Sequence, residues 1–135
     1  HVSLLERARA LGGFLIVGVN SDASVRRLGK GPERPINPAA DRMRVLAGLA
    51  CVDAVVGFAQ DTPLELLAEL RPDVLVKGAD YKVSQVAGRE YAGKTVVLPL
   101  VAGRSTTAVV KKLAPLSDPA RARSVRGLKP LAPKV

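Results

Sequence analysis

The alternation of apolar runs with amphipathic segments predicts an α/β fold, a parallel sheet with helices on both faces. Two observations carry that expectation. Short runs rich in β-branched residues, FLIVGV at 14–19, DAVVGF at 53–58, DVLVK at 73–77 and VVL at 96–98, are separated by stretches of helical periodicity. Strands that are apolar along their whole length are those buried on both faces, and their alternation with helices is the pattern of parallel sheets. Polar clusters also follow the runs, at 20–22, 78–81 and 103–107. In open parallel sheets, ligands bind beyond the carboxyl ends of the strands, where these clusters fall.

The elements follow in order. HVSLLERARALGG reads as a helix from its first residues, with Leu4, Leu5, Ala8 and Leu11 on one face and Gly12-Gly13 as its stop. The strand at 14–19 runs into Asn20-Ser21-Asp22, which opens a short helix over 23–28. GKGPERPIN at 29–37 holds two Gly, two Pro and three charges, so it reads as a loop from which Lys30 and Arg34 project. Asn37-Pro38 then supplies a cap and an N1 proline for a helix to about Ala50. Met43, Leu46, Ala47, Leu49 and Ala50 form its apolar arc, and Arg42 falls inside that arc. A guanidinium in a core-facing stripe needs either an anionic partner, such as an Asp, or an opening onto a cleft. Both readings stand at this point.

After the strand at 53–58, Thr62-Pro63-Leu64-Glu65 has the spacing of a capping box with proline at N1, opening a helix to about Leu70. Arg71-Pro72 ends that helix, the strand at 73–77 follows, and 83–92 reads as irregular or helical. The last strand leads through Gly103 to Ser105, Thr106 and Thr107 and a helix carrying Val109, Val110 and Leu113. Ser105 is a good N-cap residue. Unpaired N–H groups, hydroxyls and the Arg104 charge beside that helix start would suit a phosphate, although an ordinary capped helix has the same appearance.

Composition narrows the function classes. The chain has 135 residues, 47% of them hydrophobic, with two Phe, two Tyr and no Trp, so its core must be built from Val, Leu and Ala. That length suits one domain at 1–114 followed by a basic, Pro-rich tail at 115–135, expected to be flexible. The tail holds five Lys or Arg against one acid, so the net charge of +9 falls to +5 without it. With no aromatic interleaving, the sequence argues against nucleic acid as a partner. No apolar run reaches the length of a membrane span, and the lone Cys51 suggests a reduced, cytoplasmic setting. Neither G-x-G-x-x-G nor G-x-x-x-x-G-K-[ST] occurs, which argues against a dinucleotide-binding dehydrogenase and a P-loop NTPase.

Taken together, HVSLLERARALG, VGVNSDASVRRL, RPINP before DRMRVLAGL, VDAVVGF with DTP, PDVLVKGADY and GRSTTAVVKK, in that order, resemble the cytidylyltransferase-like nucleotidyltransferases. RPINP and VKGADY narrow the resemblance to the heptose 1-phosphate adenylyltransferase branch. It covers roughly residues 1–113. The fold it implies is Rossmann-like, here without the family's first strand. His1 is similar to the second histidine of the family's H-x-G-H motif.

The activity implied is transfer of an adenylyl group from ATP to D-glycero-β-D-manno-heptose 1-phosphate. A cytidylyltransferase acting on a polyol phosphate such as glycerol 3-phosphate, or an inactive nucleotide-binding fragment, are the alternatives. The resemblance implies His1, Lys30 and Arg42 as catalytic residues. It implies Gly78, Asp80, Arg104, Ser105 and Thr106 for nucleotide binding, and Asn20 and Asp22 for substrate, the last two being equally suited to capping a helix. Mg²⁺ is implied by triphosphate chemistry, with no protein ligand assigned. The resemblance also allows a sugar-kinase domain fused upstream, and the sequence leaves a homo-oligomer open.

Overall fold

Parallel pairing organises the chain. In a computed structural model, residues 1–29, 31, 34–78, 82–101 and 109 are described. Strand β1 (Ile16–Asn20) pairs in parallel with β2 (Ala54–Phe58), from Ile16 opposite Ala54 to Asn20 opposite Phe58. Strand β3 (Val74–Gly78) pairs in parallel with β4 (Lys94–Leu98), from Val74 opposite Lys94 to Gly78 opposite Leu98. The two pairs are separate two-stranded sheets. Among the described residues each pair keeps its own ladder and has open edges.

Helices α1 (Val2–Arg9), α2 (Asp22–Arg27), α3 (Ala39–Ala47) and α4 (Leu64–Leu70) accompany the strands. Between β3 and β4 lie two 3₁₀ turns, Val83–Gln85 and Arg89–Tyr91, where the sequence suggested an irregular or helical piece. All of these elements belong to one compact unit, His1–Leu100; Val101–Val135 forms a second.

Two glycines show how the helices reach both faces of the first pair. Gly57 stands opposite Val19, and a Cβ built on it would lie 3.4 Å from Met43 Sδ of α3. Gly18 stands opposite Val56, and its Cβ would lie 3.3 Å from Leu66 Cδ2 of α4. Successive strand positions point to opposite faces, so α3 covers one face and α4 the other. Ala8, Val19, Leu67 and Val86 are the buried apolar residues among those described, while Phe14 is 66% exposed. Asp53 ties three elements at the start of the first pair. Its Oδ2 accepts from Leu15 N at 2.7 Å and from Arg9 Nε at 3.0 Å.

Expectations for the starts of two helices change, while the expected end of α4 holds. Pro38 is the N-cap of α3 rather than its first helical residue, no side chain caps that helix, and it ends at Ala47, with Gly48 as C-cap. The expected capping box at Thr62 does not form, because Pro63 is the N-cap of α4 and makes no side-chain cap bond. Glu65 instead accepts a hydrogen bond from Gln60 Nε2, so its carboxylate serves the loop after β2. Arg71 adopts a left-handed conformation, φ 43°, and ends α4 in a position usually filled by glycine.

Candidate functional site

The carboxyl end of β1 gathers three residues expected at a site, Asn20, Asp22 and Arg42. Strand pairing places Asn20 beside Phe58, and the backbone N–H of Ser21 donates to the Phe58 carbonyl at 2.7 Å. The chain then turns at once into α2. Ser21 is its N-cap, accepting from Ser24 N at 3.2 Å, so neither Asn20 nor Asp22 serves as the cap. Asp22 occupies the first turn, where a carboxylate is favoured by the helix dipole.

Arg42 reaches across from α3. Its Nη2 donates to the Asn20 carbonyl at 2.9 Å and to Asp22 Oδ1 at 2.8 Å, and its Nε donates to the Asn37 carbonyl at 3.1 Å. The guanidinium side chain is 25% exposed and the Asp22 side chain 29%. Of the two readings open for Arg42, the structure supplies the anionic partner. One planar fork thereby fixes the end of β1, the start of α2 and the loop entering α3. Nη1 has no hydrogen bond among the described residues.

Beside this cluster, Ser24 is fully buried, 0% exposed, and its hydroxyl meets both the Gln60 carbonyl and Asn20 Nδ2. Sequence reasoning passed over Ser24. No local pattern singles it out, because Asn20 ends β1 and Ser24 lies in α2, and their meeting depends on the turn between them. Arg27 makes a further clamp on the same loop. Its Nε lies 2.6 Å from Asp61 Oδ1, and its Nη2 donates to the Ala59 carbonyl at 2.6 Å.

Gly78 ends β3, half-buried and close against the start of α1. A Cβ there would fall 2.5 Å from Leu4 Cδ2 and 3.0 Å from Leu100 Cδ2. His1 precedes α1, exposed, with its carbonyl accepting from Leu5 N at 3.0 Å and its side chain making no cap bond. Packing of Leu4 against Gly78 sets the first turn of α1, and therefore His1, near the carboxyl end of β3. Lys30, Asp80, Arg104, Ser105 and Thr106 lie outside the described residues, and of the helix expected after Ser105 only Val109 is described, as helical.

Among the described residues no three His, Cys, Asp or Glu side chains cluster as metal ligands. Asp22, the carboxylate at the end of β1, is committed to Arg42. These residues do not form a protein cage for Mg²⁺. Nor is any described helix long and apolar enough to cross a membrane.

Comparison with known proteins places the chain in one family. The family profile described as cytidylyltransferase-like matches residues 1–124. The chain is 56% identical over 117 residues to the bifunctional protein HldE of Magnetococcus marinus, covering 84% of this chain and 24% of that protein. It is 58% identical over 118 residues to the bifunctional protein HldE of Streptomyces coelicolor, covering 84% of this chain and 25% of that protein. The chain thus spans about a quarter of the length of these curated relatives. A solved structure, the lipopolysaccharide core biosynthesis protein of Thermoplasma volcanium, superposes with a TM-score of 0.58 at 25% identity, over 75% of this chain and 84% of that one.

Proposed function

The chain belongs to the cytidylyltransferase-like family, matched over residues 1–124, and on that premise we propose that it transfers an adenylyl group from ATP to D-glycero-β-D-manno-heptose 1-phosphate. The products are ADP-heptose and pyrophosphate. A phosphate oxygen of the sugar phosphate attacks the α-phosphorus of ATP. The bond to the β-phosphate oxygen breaks, and that oxygen leaves with the pyrophosphate. No covalent enzyme intermediate is required. The protein's task is to hold two anions in line and to neutralise charge on the transferring group.

In this reading His1 donates hydrogen bonds to phosphate oxygens, and Lys30 closes over the triphosphate from its glycine-flanked loop. Arg42 holds the end of β1 in place and offers Nη1 to an anion. Arg104, Ser105 and Thr106 receive the departing phosphates and, with Gly78 and Asp80, the nucleotide. Asn20 lies toward the acceptor. Mg²⁺ bound with ATP would neutralise charge on the triphosphate, and none of these residues is assigned to it. A fused kinase domain that makes the sugar 1-phosphate would suit relatives named as bifunctional, and the cytoplasm would supply the ATP.

The observation that carries the proposal is the identity of 56% and 58% to those relatives over 117 and 118 residues. The test is pyrophosphate release by the full-length protein with ATP or CTP, each paired with heptose 1-phosphate or glycerol 3-phosphate. Turnover is expected with ATP and heptose 1-phosphate. Turnover only with CTP and glycerol 3-phosphate would replace the substrates and keep the transferase. Failure of a well-folded protein with every pair would leave a nucleotide-binding remnant.

A further inference from the structure

The hydrogen-bond chain at the end of β1 has a direction, and that direction decides what Asn20 offers to a ligand. Ser24 Oγ lies 2.7 Å from the Gln60 carbonyl oxygen and 2.9 Å from Asn20 Nδ2. A carbonyl oxygen only accepts, so the single proton of the Ser24 hydroxyl goes to Gln60. Ser24 then meets Asn20 with a lone pair, and Asn20 must turn its amide N–H₂ toward it. The carboxamide oxygen, Oδ1, is therefore on the side facing away from Ser24. It has no hydrogen-bond donor among the described residues.

The tie does more for Asn20 than for Ser24. The hydroxyl is fully buried, and its need for a partner is already met by Gln60. Asn20 is half-buried at the last position of β1, its backbone carbonyl held by Arg42 at 2.9 Å. With both its backbone and its amide nitrogen fixed, Asn20 presents one defined acceptor at the end of the strand where ligands of parallel sheets bind.

We propose that Asn20 Oδ1 accepts a hydrogen bond from a hydroxyl group of the bound substrate, and that Ser24 is the positioning residue that sets the polarity of the Asn20 amide. The inference rests on the nucleotidyl-transfer reading for the identity of its ligands. A carboxamide oxygen repels a phosphate oxygen, so the ligand group that meets Oδ1 is a hydrogen-bond donor. Two sources of hydroxyl groups exist in the proposed reaction: the acceptor sugar and the nucleotide ribose.

The test measures dissociation constants by calorimetry on the full-length protein. The probes are ATP, its 2′-deoxy and 3′-deoxy analogues, heptose 1-phosphate and its singly deoxygenated analogues. The wild type is expected to bind one deoxy compound about 10-fold more weakly than its parent, the scale of one hydrogen bond at a built acceptor. The series to which that compound belongs identifies the source. Asn20→Ala should bind that parent and its deoxy analogue equally. Ser24→Ala frees the amide to turn over, so its discrimination should fall to about 2-fold, a change in ratio that general loosening of the fold would not produce.

If Ser24→Ala does not fold, Asn20→Ala alone decides. Wild-type discrimination retained in Asn20→Ala for every compound, or no binding of either class by the wild type, would overturn the inference. Turnover of the parent pair by the wild type is scored separately. Binding with the expected discrimination but no pyrophosphate release would sink the nucleotidyl-transfer reading and leave this one standing.

Discussion

Arg42 Nη2 and Asp22 Oδ1 lie 2.8 Å apart, joining α3 to the first turn of α2. The same guanidinium also holds the carbonyls of Asn20 and Asn37. Neither side chain is fully exposed, so the pair is less screened than a surface ion pair, and the Nε and Nη2 donors have fixed acceptors.

Arg42→Lys should therefore cost stability although it keeps the charge. An ammonium is a point donor and cannot span the three acceptors that the planar fork reaches. A loss of about 2 kcal/mol is expected, the scale of hydrogen bonds to a charged group. Asp22→Asn should cost less, because Arg42 keeps both carbonyls. Urea denaturation with an unchanged m-value reads both. Equal losses for the two variants would mean that the ion pair, rather than the fork, carries the stability.

Gly88 contrasts with Gly78. Gly88 has φ +84°, and a Cβ on it would run into Cδ1 of the buried Leu67 of α4. Gly88→Ala should combine left-handed strain of about 1 kcal/mol with overpacking of about 1–3 kcal/mol. At Gly78 the nearest atoms are the ends of the Leu4 and Leu100 side chains, which can rotate away. Gly78→Ala should therefore cost about 1 kcal/mol, and its larger effect should be on nucleotide affinity, through the shift of α1 and His1. Thermal unfolding separates the two, Gly88→Ala having the lower midpoint.

Open edges predict self-association of the 135-residue chain. Two-stranded sheets are marginal alone, and unpaired edges are templates for pairing with another chain. Phe14, 66% exposed, and Ile16, 38% exposed, lie at the start of β1. Sedimentation velocity should show a mass that rises with concentration, and Phe14→Ser with Ile16→Thr should lower that rise without lowering the unfolding midpoint. A monomer at every concentration would refute the prediction.

The strands and their parallel sense were legible because each is a continuous apolar run, and such runs point to one state. Helix starts were less so. Thr62-Pro63-Leu64-Glu65 satisfies the capping-box spacing, yet Glu65 goes to Gln60, a competing partner supplied by the loop after β2. Arg42 illustrates the same limit at the site. Its place in the apolar arc of α3 signalled that it needed a partner, and its choice of Asp22 depends on how α3 crosses β1, which no local pattern encodes. Ser24 left almost no trace, since a serine that closes a tertiary hydrogen-bond chain has the same sequence as one that faces water.

Lys30 gives the sharpest separation of chemistry from folding. It stands between Gly29 and Gly31 in a loop with two prolines, a sequence that supplies a charge and few apolar groups for packing. Gly29 and Gly31 themselves have positive φ, +64° and +114°, with nothing within 4 Å of a Cβ built on either. If the Lys30 ammonium closes on the triphosphate, Lys30→Ala in the full-length protein should lower kcat about 100-fold, the scale of losing one preorganised donor to a developing charge. Stability should change by less than about 0.5 kcal/mol, as for surface substitutions. Lys30→Arg should restore part of the rate, because charge is kept while the point geometry is lost. An unchanged kcat in Lys30→Ala would remove this lysine from the chemistry and leave charge neutralisation to Arg104 and the hydroxyls of Ser105 and Thr106.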